Sequence, residues 1–277
     1  MSNPQLDIRP IAGALGAEIY GVNLTRDLDD AMFQSIHQAL LDHCVIVFRN
    51  QDISPQTQLG FAKRWGDLHK HPFIPGIQNY PEILEIVKDI DDTHTLGGYW
   101  HTDQMFTAVP ALATMLYAKE TPPAGGDTLF SNMYLAYEAL SDGMKAMLAD
   151  AKTVNIYTKN KGRAANMQND YSEGEPEEYV HPLFRTHPET GRKTLYISYK
   201  GVTRRLDGFS DAESQPILEF LMNHAKRPEF TCRVNWTPGS LCVWDNRSVI
   251  HLAVNDYHGH RRVMHRITIK GEPIVAS

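Results

Sequence analysis

Apolar residues at Met32, Phe33, Ile36, Ala39 and Leu40 recur at helical spacing between Asp29 and His43, so the first clear element is an amphipathic helix. Val45 to Phe48 is uniformly apolar and reads as a short buried strand directly after it. Ser54-Pro55 marks a helix start: serine accepts from the unpaired amides of the first turn, and proline's fixed φ suits the first helical position. Leu59, Ala62 and Trp65 then share a face. Ser141, followed by Met144, Met147 and Leu148, predicts another capped helix. Ser210 and Glu213 have capping-box spacing for a helix reaching His224, although Pro216 leaves its true start open.

Most of the remaining chain reads as strands broken by turns: Ala111 to Tyr117, Thr128 to Phe130, Thr194 to Ser198, Phe230 to Val234, Leu241 to Trp244 and Arg262 to Lys270. Strands without regular intervening helices predict an antiparallel barrel or jelly roll with helices outside it, not a βαβ fold. No repeat and no Pro/Gly/Ser linker divides the chain, so residues 1–277 are expected to form a single domain. Tyr157 to Tyr179 is polar and rich in Asn, Glu and Gly, which fits either a surface loop or a lid over a site.

Composition narrows the function classes. The chain has 277 residues, 42% of them hydrophobic, with a formal net charge of -6. That balance supports a substantial core and argues against a general phosphate-backbone binder, which needs a basic stripe. No nucleic-acid partner is therefore expected. Met1 to Pro10 has no apolar signal region, and no apolar run approaches the roughly 18 residues of a membrane span. Cys44, Cys232 and Cys242 are too scattered for a disulfide framework or a CxxC site and read as reduced core thiols. A cytoplasmic setting without membrane attachment is the expectation.

Candidate chemistry centres on Tyr99-Trp100-His101-Thr102-Asp103. In an extended segment His101 and Asp103 project from the same face, so an imidazole and a carboxylate can meet one cation. A third ligand must come from elsewhere, and a 2-His-1-carboxylate set would leave positions open for oxygen chemistry at iron(II). HxD alone is weak, because 13 histidines produce such triplets by chance. His187-Pro188-Glu189 is a comparable triplet in a turn-like stretch. In the strand Arg262 to Lys270, Arg262, Met264, Arg266 and Thr268 fall on one face, with the two arginines roughly 13 Å apart. That face is either solvated, or inward and in need of anionic partners; the pattern leaves both open.

The combination resembles a known family. Ile8-Arg9-Pro10, the Gly13 to Ile19 stretch with Gly21-Val22, WHTD at 100–103, GGDT at 125–128, WDNR at 244–247, His251 and RRVMHR at 261–266 occur in the order seen in taurine and aryloxyalkanoate dioxygenases. The resemblance implies a mainly β fold with α additions, a double-stranded β-helix (jelly-roll) core with flanking helices. It implies iron(II) bound by His101, Asp103 and His251, with 2-oxoglutarate as co-substrate and O2 as oxidant. Thr128 and Arg262 match positions holding the distal carboxylate of 2-oxoglutarate. Arg266 matches the receiver of the substrate's anionic group, and His71, Phe106 and Gln104 match pocket positions. Asp103 itself favours hydroxylation over the halogenation of relatives lacking the metal carboxylate.

The substrate implied is a small organic anion: a sulfonate, a sulfate ester, or an aryloxyalkanoate or other carboxylate. Ile74, Gly97 and Gln104 depart from the taurine enzyme, as does the Tyr199-Lys200-Gly201-Val202 segment, which lacks a phenylalanine. These changes remove polar contacts suited to a short aminosulfonate. His181-Pro182-Leu183 through Gly191-Arg192-Lys193 to Asp211-Ala212-Glu213-Ser214 looks closer to the aryloxypropionate-cleaving branch. A biosynthetic hydroxylase of an amino-acid derivative is the in-class alternative. A zinc- or manganese-dependent jelly-roll enzyme and a non-catalytic binding module are the others. The family also implies a homodimer or homotetramer.

Overall fold

The computed structural model describes residues 6–70, 75–156 and 177–274. His71 and Ile74 fall outside them, as does the candidate lid except for residues 177–179, with Glu178 and Tyr179 opening strand β8 (Glu178–Pro182). The first helix, α1 (Asp30–His43), is capped by the Asp29 carboxylate, which accepts from the Met32 amide at 2.8 Å. It runs into β3 (Val45–Phe48). α2 (Pro55–Lys63) starts after the Ser54 cap, with proline in its first turn. α3 (Met133–Glu138) is capped by Asn132, and α4 (Asp142–Met147) follows the predicted Ser141 cap. α5 (Asp211–Ala225) begins at the capping box of Ser210 and Glu213 and carries Pro216 inside it. Pro216 lacks only one intrahelical N–H there, so the cap, and not the proline, sets the start.

The described strands form a seven-stranded sheet in the order β1 (Asp7–Pro10), β2 (Ala17–Tyr20), β3, β13 (Leu241–Asp245), β5 (Ala111–Glu120), β15 (Arg262–Lys270) and β4 (Leu84–Lys88). A smaller sheet has the order β12 (Thr231–Val234), β6 (Thr128–Asn132) and β14 (Val249–Ala253). Apart from the parallel β2–β3 contact, the pairings are antiparallel. This is the expected mainly β jelly roll. The strand predicted over Thr194 to Ser198 is shorter, β10 (Lys193–Leu195), pairing only with β9 (Phe184–Thr186). β7 (Lys152–Ile156) lies between β11 (Thr203–Leu206) and β8 in a third small sheet.

Alternation along the large sheet separates two cores. Ile46 and Phe48, Met115 and Tyr117, Leu241 and Val243, and Ile267 and Ile269 pack with Phe33, Ile36, Leu40 and Phe61 of α1 and α2. Their sequence neighbours Val45, Val47, Leu116, Cys242, Trp244 and Met264 turn the other way, onto Phe130, Val249, Cys232 and Val234 of the smaller sheet. Each such side chain contributes about 1.5–3 kcal/mol when buried, so both faces of the central strands are fixed. Period-2 alternation then decides which residues look between the sheets, where the candidate site lies. The cysteines are free and buried, and burial pushes the Cys44 and Cys232 thiols up to about 12.

Candidate active site

His101 and His251 are cross-strand neighbours. The His101 amide donates to the His251 carbonyl at 3.0 Å, and the His251 amide donates back at 2.7 Å. Asp103 reaches the same point two residues later, and one ligand atom from each of the three lies within 4.8 Å of the others. This is the one such group of His, Cys, Asp or Glu among the described residues. The His101 Nδ1 is 2.6 Å from the Tyr99 carbonyl, so Nδ1–H donates there and Nε2 is left as the electron-pair donor. The His251 ring is wedged between Trp244 and Phe130, at centroid distances of 4.8 and 5.8 Å.

Electrostatics prepare the set for a cation. Burial raises the Asp103 pKa, but Arg266, His251, His101 and the Thr114 hydroxyl together outweigh it and hold the carboxylate well below its usual range. Burial pulls both histidines below 6.5, and for His251 the neighbouring His101 adds to the effect. A carboxylate anion beside two neutral imidazoles is the protonation state that metal binding requires. Oxygen and nitrogen donors in this ratio suit a non-haem iron(II) centre or its divalent substitutes.

A hydrogen-bonded chain fixes the carboxylate. Thr114, facing inward from β5, donates its hydroxyl to Asp103 Oδ2 at 2.7 Å and accepts from Asn246 Nδ2 at 2.9 Å. Asn246 Oδ1 in turn accepts from the Trp244 indole at 3.0 Å. The Asn246 carbonyl accepts from Thr102 at 2.7 Å. Sequence reasoning did not single out Thr114 or Asn246. A lone hydroxyl in the apolar run of β5 was the available signal.

The two predicted arginines point inward, because Met264 between them belongs to the core that separates the sheets. Arg262 is 5% exposed, and its Nε and Nη2 have no hydrogen-bond acceptor. Burial lowers its pKa, offset in part by Tyr257 and Asp127. Thr128 lies beside it through Trp236: the Trp236 indole donates to the Thr128 hydroxyl at 3.0 Å, and the Arg262 guanidinium carbon is 5.7 Å from the Trp236 ring. A buried guanidinium with unpaired N–H groups fits an incoming carboxylate, its natural bidentate partner. Arg266 pairs with Asp103 Oδ1 at 2.7 Å, on the metal-facing side.

Other positions singled out in the sequence lie along the chain around the 101–103 segment or pack near it. Gln104 adopts a left-handed φ of 55° immediately after Asp103. Phe106 is half-buried and packs on the small cluster of Met105, Tyr196 and Val202. Tyr199 stacks on Tyr99 at 5.1 Å. Gly97, with φ 79°, sits so close to the metal-site ring that a Cβ there would come within 3.1 Å of His101. His187-Pro188-Glu189 is no metal site: the Glu189 and Thr190 amides donate to His187 Nδ1, and Nε2–H donates to Asp245 at 3.0 Å. Asp245 also receives a bidentate pair from Arg247, whose remaining arm reaches Glu189 at 2.7 Å.

Residues 7–268 match the model of the taurine catabolism dioxygenase TauD, TfdA family. An alkylsulfatase of Acinetobacter baylyi is 36% identical over 98% of this chain and 88% of its own length. An alpha-ketoglutarate-dependent sulfate ester dioxygenase of Pseudomonas putida is 34% identical, covering 97% and 90%. The crystal structure of a taurine dioxygenase from Burkholderia xenovorans superposes with a TM-score of 0.84 at 33% identity, covering 97% of this chain and 92% of that one.

Proposed function

Because the chain belongs to the TauD, TfdA family of 2-oxoglutarate-dependent dioxygenases, we propose that its His101, Asp103 and His251 hold iron(II) and organise the oxidation of a small organic anion. The observation that carries this reading is the convergence of the three ligand atoms within 4.8 Å, in the protonation state a divalent cation needs. Iron bound there would supply O2 activation coupled to oxidative decarboxylation of the 2-oxo acid to succinate and CO2.

The chain's own residues do the rest. Arg262, with two unpaired buried N–H groups, and Thr128 receive the distal carboxylate of 2-oxoglutarate. Arg266 receives the substrate's anionic group, which sets the nearest C–H bond beside the metal. Thr114 and Asn246 hold the Asp103 carboxylate in one orientation. Tyr99 stacks on Tyr199, which packs with Phe106 on Met105, Tyr196 and Val202, and this aromatic surface would suit a substrate with an apolar tail. The missing side chain at Gly97 leaves room beside His101. Gln104 and His71 complete the substrate set in this reading.

An alkyl sulfate ester is the first substrate class to test, since the alkylsulfatase and the sulfate ester dioxygenase match nearly the whole chain. Sulfonates and aryloxyalkanoates follow. We take residues 1–277 as one domain and the assembly as a homodimer or homotetramer. Among the described residues no helix is long and apolar enough to cross a membrane. The buried reduced thiols support a cytoplasmic setting.

The test is an anaerobic titration of metal-free protein with iron(II) and then 2-oxoglutarate, followed by O2 uptake on a panel of alkyl sulfates, sulfonates and aryloxyacids. A visible charge-transfer band that saturates near one equivalent of each supports the reading. Iron binding with no band on adding the oxo acid overturns the Arg262 assignment.

A further inference from the structure

The last residue of β4 stands directly opposite the first residue of β15: Lys88 pairs with Arg262, Ile86 with Met264 and Leu84 with Arg266. Opposed residues on antiparallel strands project to the same side of the sheet. Met264 lies in the core between the sheets and Ile86 packs against that core, so Lys88 and Arg262 both point inward. Lys88 is 4% exposed, and its Nζ has no hydrogen-bond acceptor. Its ammonium lies 4.4 Å from the centroid of the Tyr257 ring, the same tyrosine whose hydroxyl offsets part of the burial of Arg262.

Two buried cations on opposed residues, both adjoining Tyr257, leave a deficit of negative charge. Like charges directly opposite destabilise a strand pair. A cation–π contact recovers only part of what removing each ion from water costs. The neighbouring carboxylates are engaged elsewhere. Asp127 is held by Arg233 and Asn235, Asp256 by Arg233 and the Gly126 amide, and Glu120 by Arg261.

We propose that Lys88 is a second cation of the oxo-acid pocket and shares the distal carboxylate of 2-oxoglutarate with Arg262. The inference rests on the assignment of Arg262 to that carboxylate. It makes the pocket select for a dicarboxylic oxo acid: Lys88 and Arg262 together are left uncompensated when the distal end of the oxo acid is neutral. The favourable step is the neutralisation of a preformed buried charge pair, which an uncharged alkyl end cannot provide.

The experiment measures oxo-acid affinity by titration calorimetry on the manganese(II)-loaded protein, which is redox-inert under these conditions. Wild type, Lys88→Met, Lys88→Arg and Arg262→Met are each titrated with 2-oxoglutarate and with 2-oxobutyrate, which lacks the second carboxylate. Lys88→Met is expected to raise the 2-oxoglutarate Kd about ten- to hundredfold and to leave the 2-oxobutyrate Kd within about twofold. Lys88→Arg restores most of the loss, and the melting temperature of the ligand-free Met variant does not fall, because a buried charge has been removed. An unchanged 2-oxoglutarate Kd in Lys88→Met, or equal losses for both oxo acids, overturns the proposal. If Arg262→Met weakens 2-oxoglutarate while Lys88→Met does not, the parent assignment survives and only the role of Lys88 falls. If Arg262→Met is also without effect, both fall. Lys88→Gln serves in the same comparison should the Met variant fail to fold.

Discussion

Replacing Thr114 by valine removes one oxygen and adds one methyl at a fully buried position, with little change of shape. It deletes the donor to Asp103 Oδ2 and strands Asn246 Nδ2, which loses its acceptor at 2.9 Å. Partners that orient a metal ligand are worth roughly 10–100-fold in metal affinity. Asp103 keeps Arg266 at 2.7 Å, so the loss is expected near the lower end, about tenfold or about 1.4 kcal/mol. The unpaired amide adds a stability cost of about 1–3 kcal/mol. The assay is manganese(II) binding, followed through the resonance signal of the free ion, alongside thermal melting. Thr114→Ser keeps the hydroxyl and should recover wild-type affinity. A folded Thr114→Val protein that binds manganese(II) within about twofold of wild type would refute the chain from Asn246 through Thr114 to the carboxylate.

Three further outcomes follow from the same geometry. Arg266→Leu should abolish substrate-coupled O2 uptake and weaken iron(II) binding through Asp103, while the iron–oxo-acid band still forms at saturating iron(II); loss of the band even there would move Arg266 out of the substrate role. Asp245→Asn should cost about 3–5 kcal/mol, because it leaves the buried Arg247 short of its bidentate partner. Burial raises the Asp245 pKa, but Arg247 and His187 outweigh it and set the value below the ordinary carboxylate range, so this stabilisation is complete above the unfolded pKa and fades as pH falls towards the folded one. The gap in melting temperature between wild type and Asp245→Asn should therefore be constant near neutrality and narrow below about pH 4; a gap that widens with acid sinks the assignment. Finally, a chelator should lower the melting temperature of metal-loaded protein, and excess manganese(II) should restore it, with about 2.7 kcal/mol gained at a hundredfold excess over Kd.

The sequence carried the helices well because their caps are local: Asp29, Ser54, Ser141 and Ser210 each bond within three residues. It carried the candidate ligands through motif order, and the structure brings His101, Asp103 and His251 together. Local pattern could not orient the two arginines. β15 is buried on both faces, so alternation marks two sides without saying which one meets the smaller sheet. β4 was missed although Leu84, Ile86 and Lys88 alternate with more exposed residues. Thr114, Asn246 and Lys88 acquire their meaning from partners far away in the chain, 132 residues in the case of Asn246 and Thr114. No periodicity encodes such a pairing. It emerges only when strand order and register are known.

The rung between His101 and His251 ties the 101–103 segment to β14 with two backbone hydrogen bonds, and His101 lies outside the named strands. Fixing a segment outside the strands costs about 1–2 kcal/mol of backbone entropy per residue, which two hydrogen bonds offset only in part. A cation gripping both imidazoles would act as a clasp across that seam, so metal loading would also tie the 101–103 segment to β14. Amide hydrogen exchange at His101 and His251 would then slow on metal binding, while exchange in β3 and β13, already locked between two cores, would stay as it was. The metal would be a fastener of the barrel's rim as much as a reagent within it.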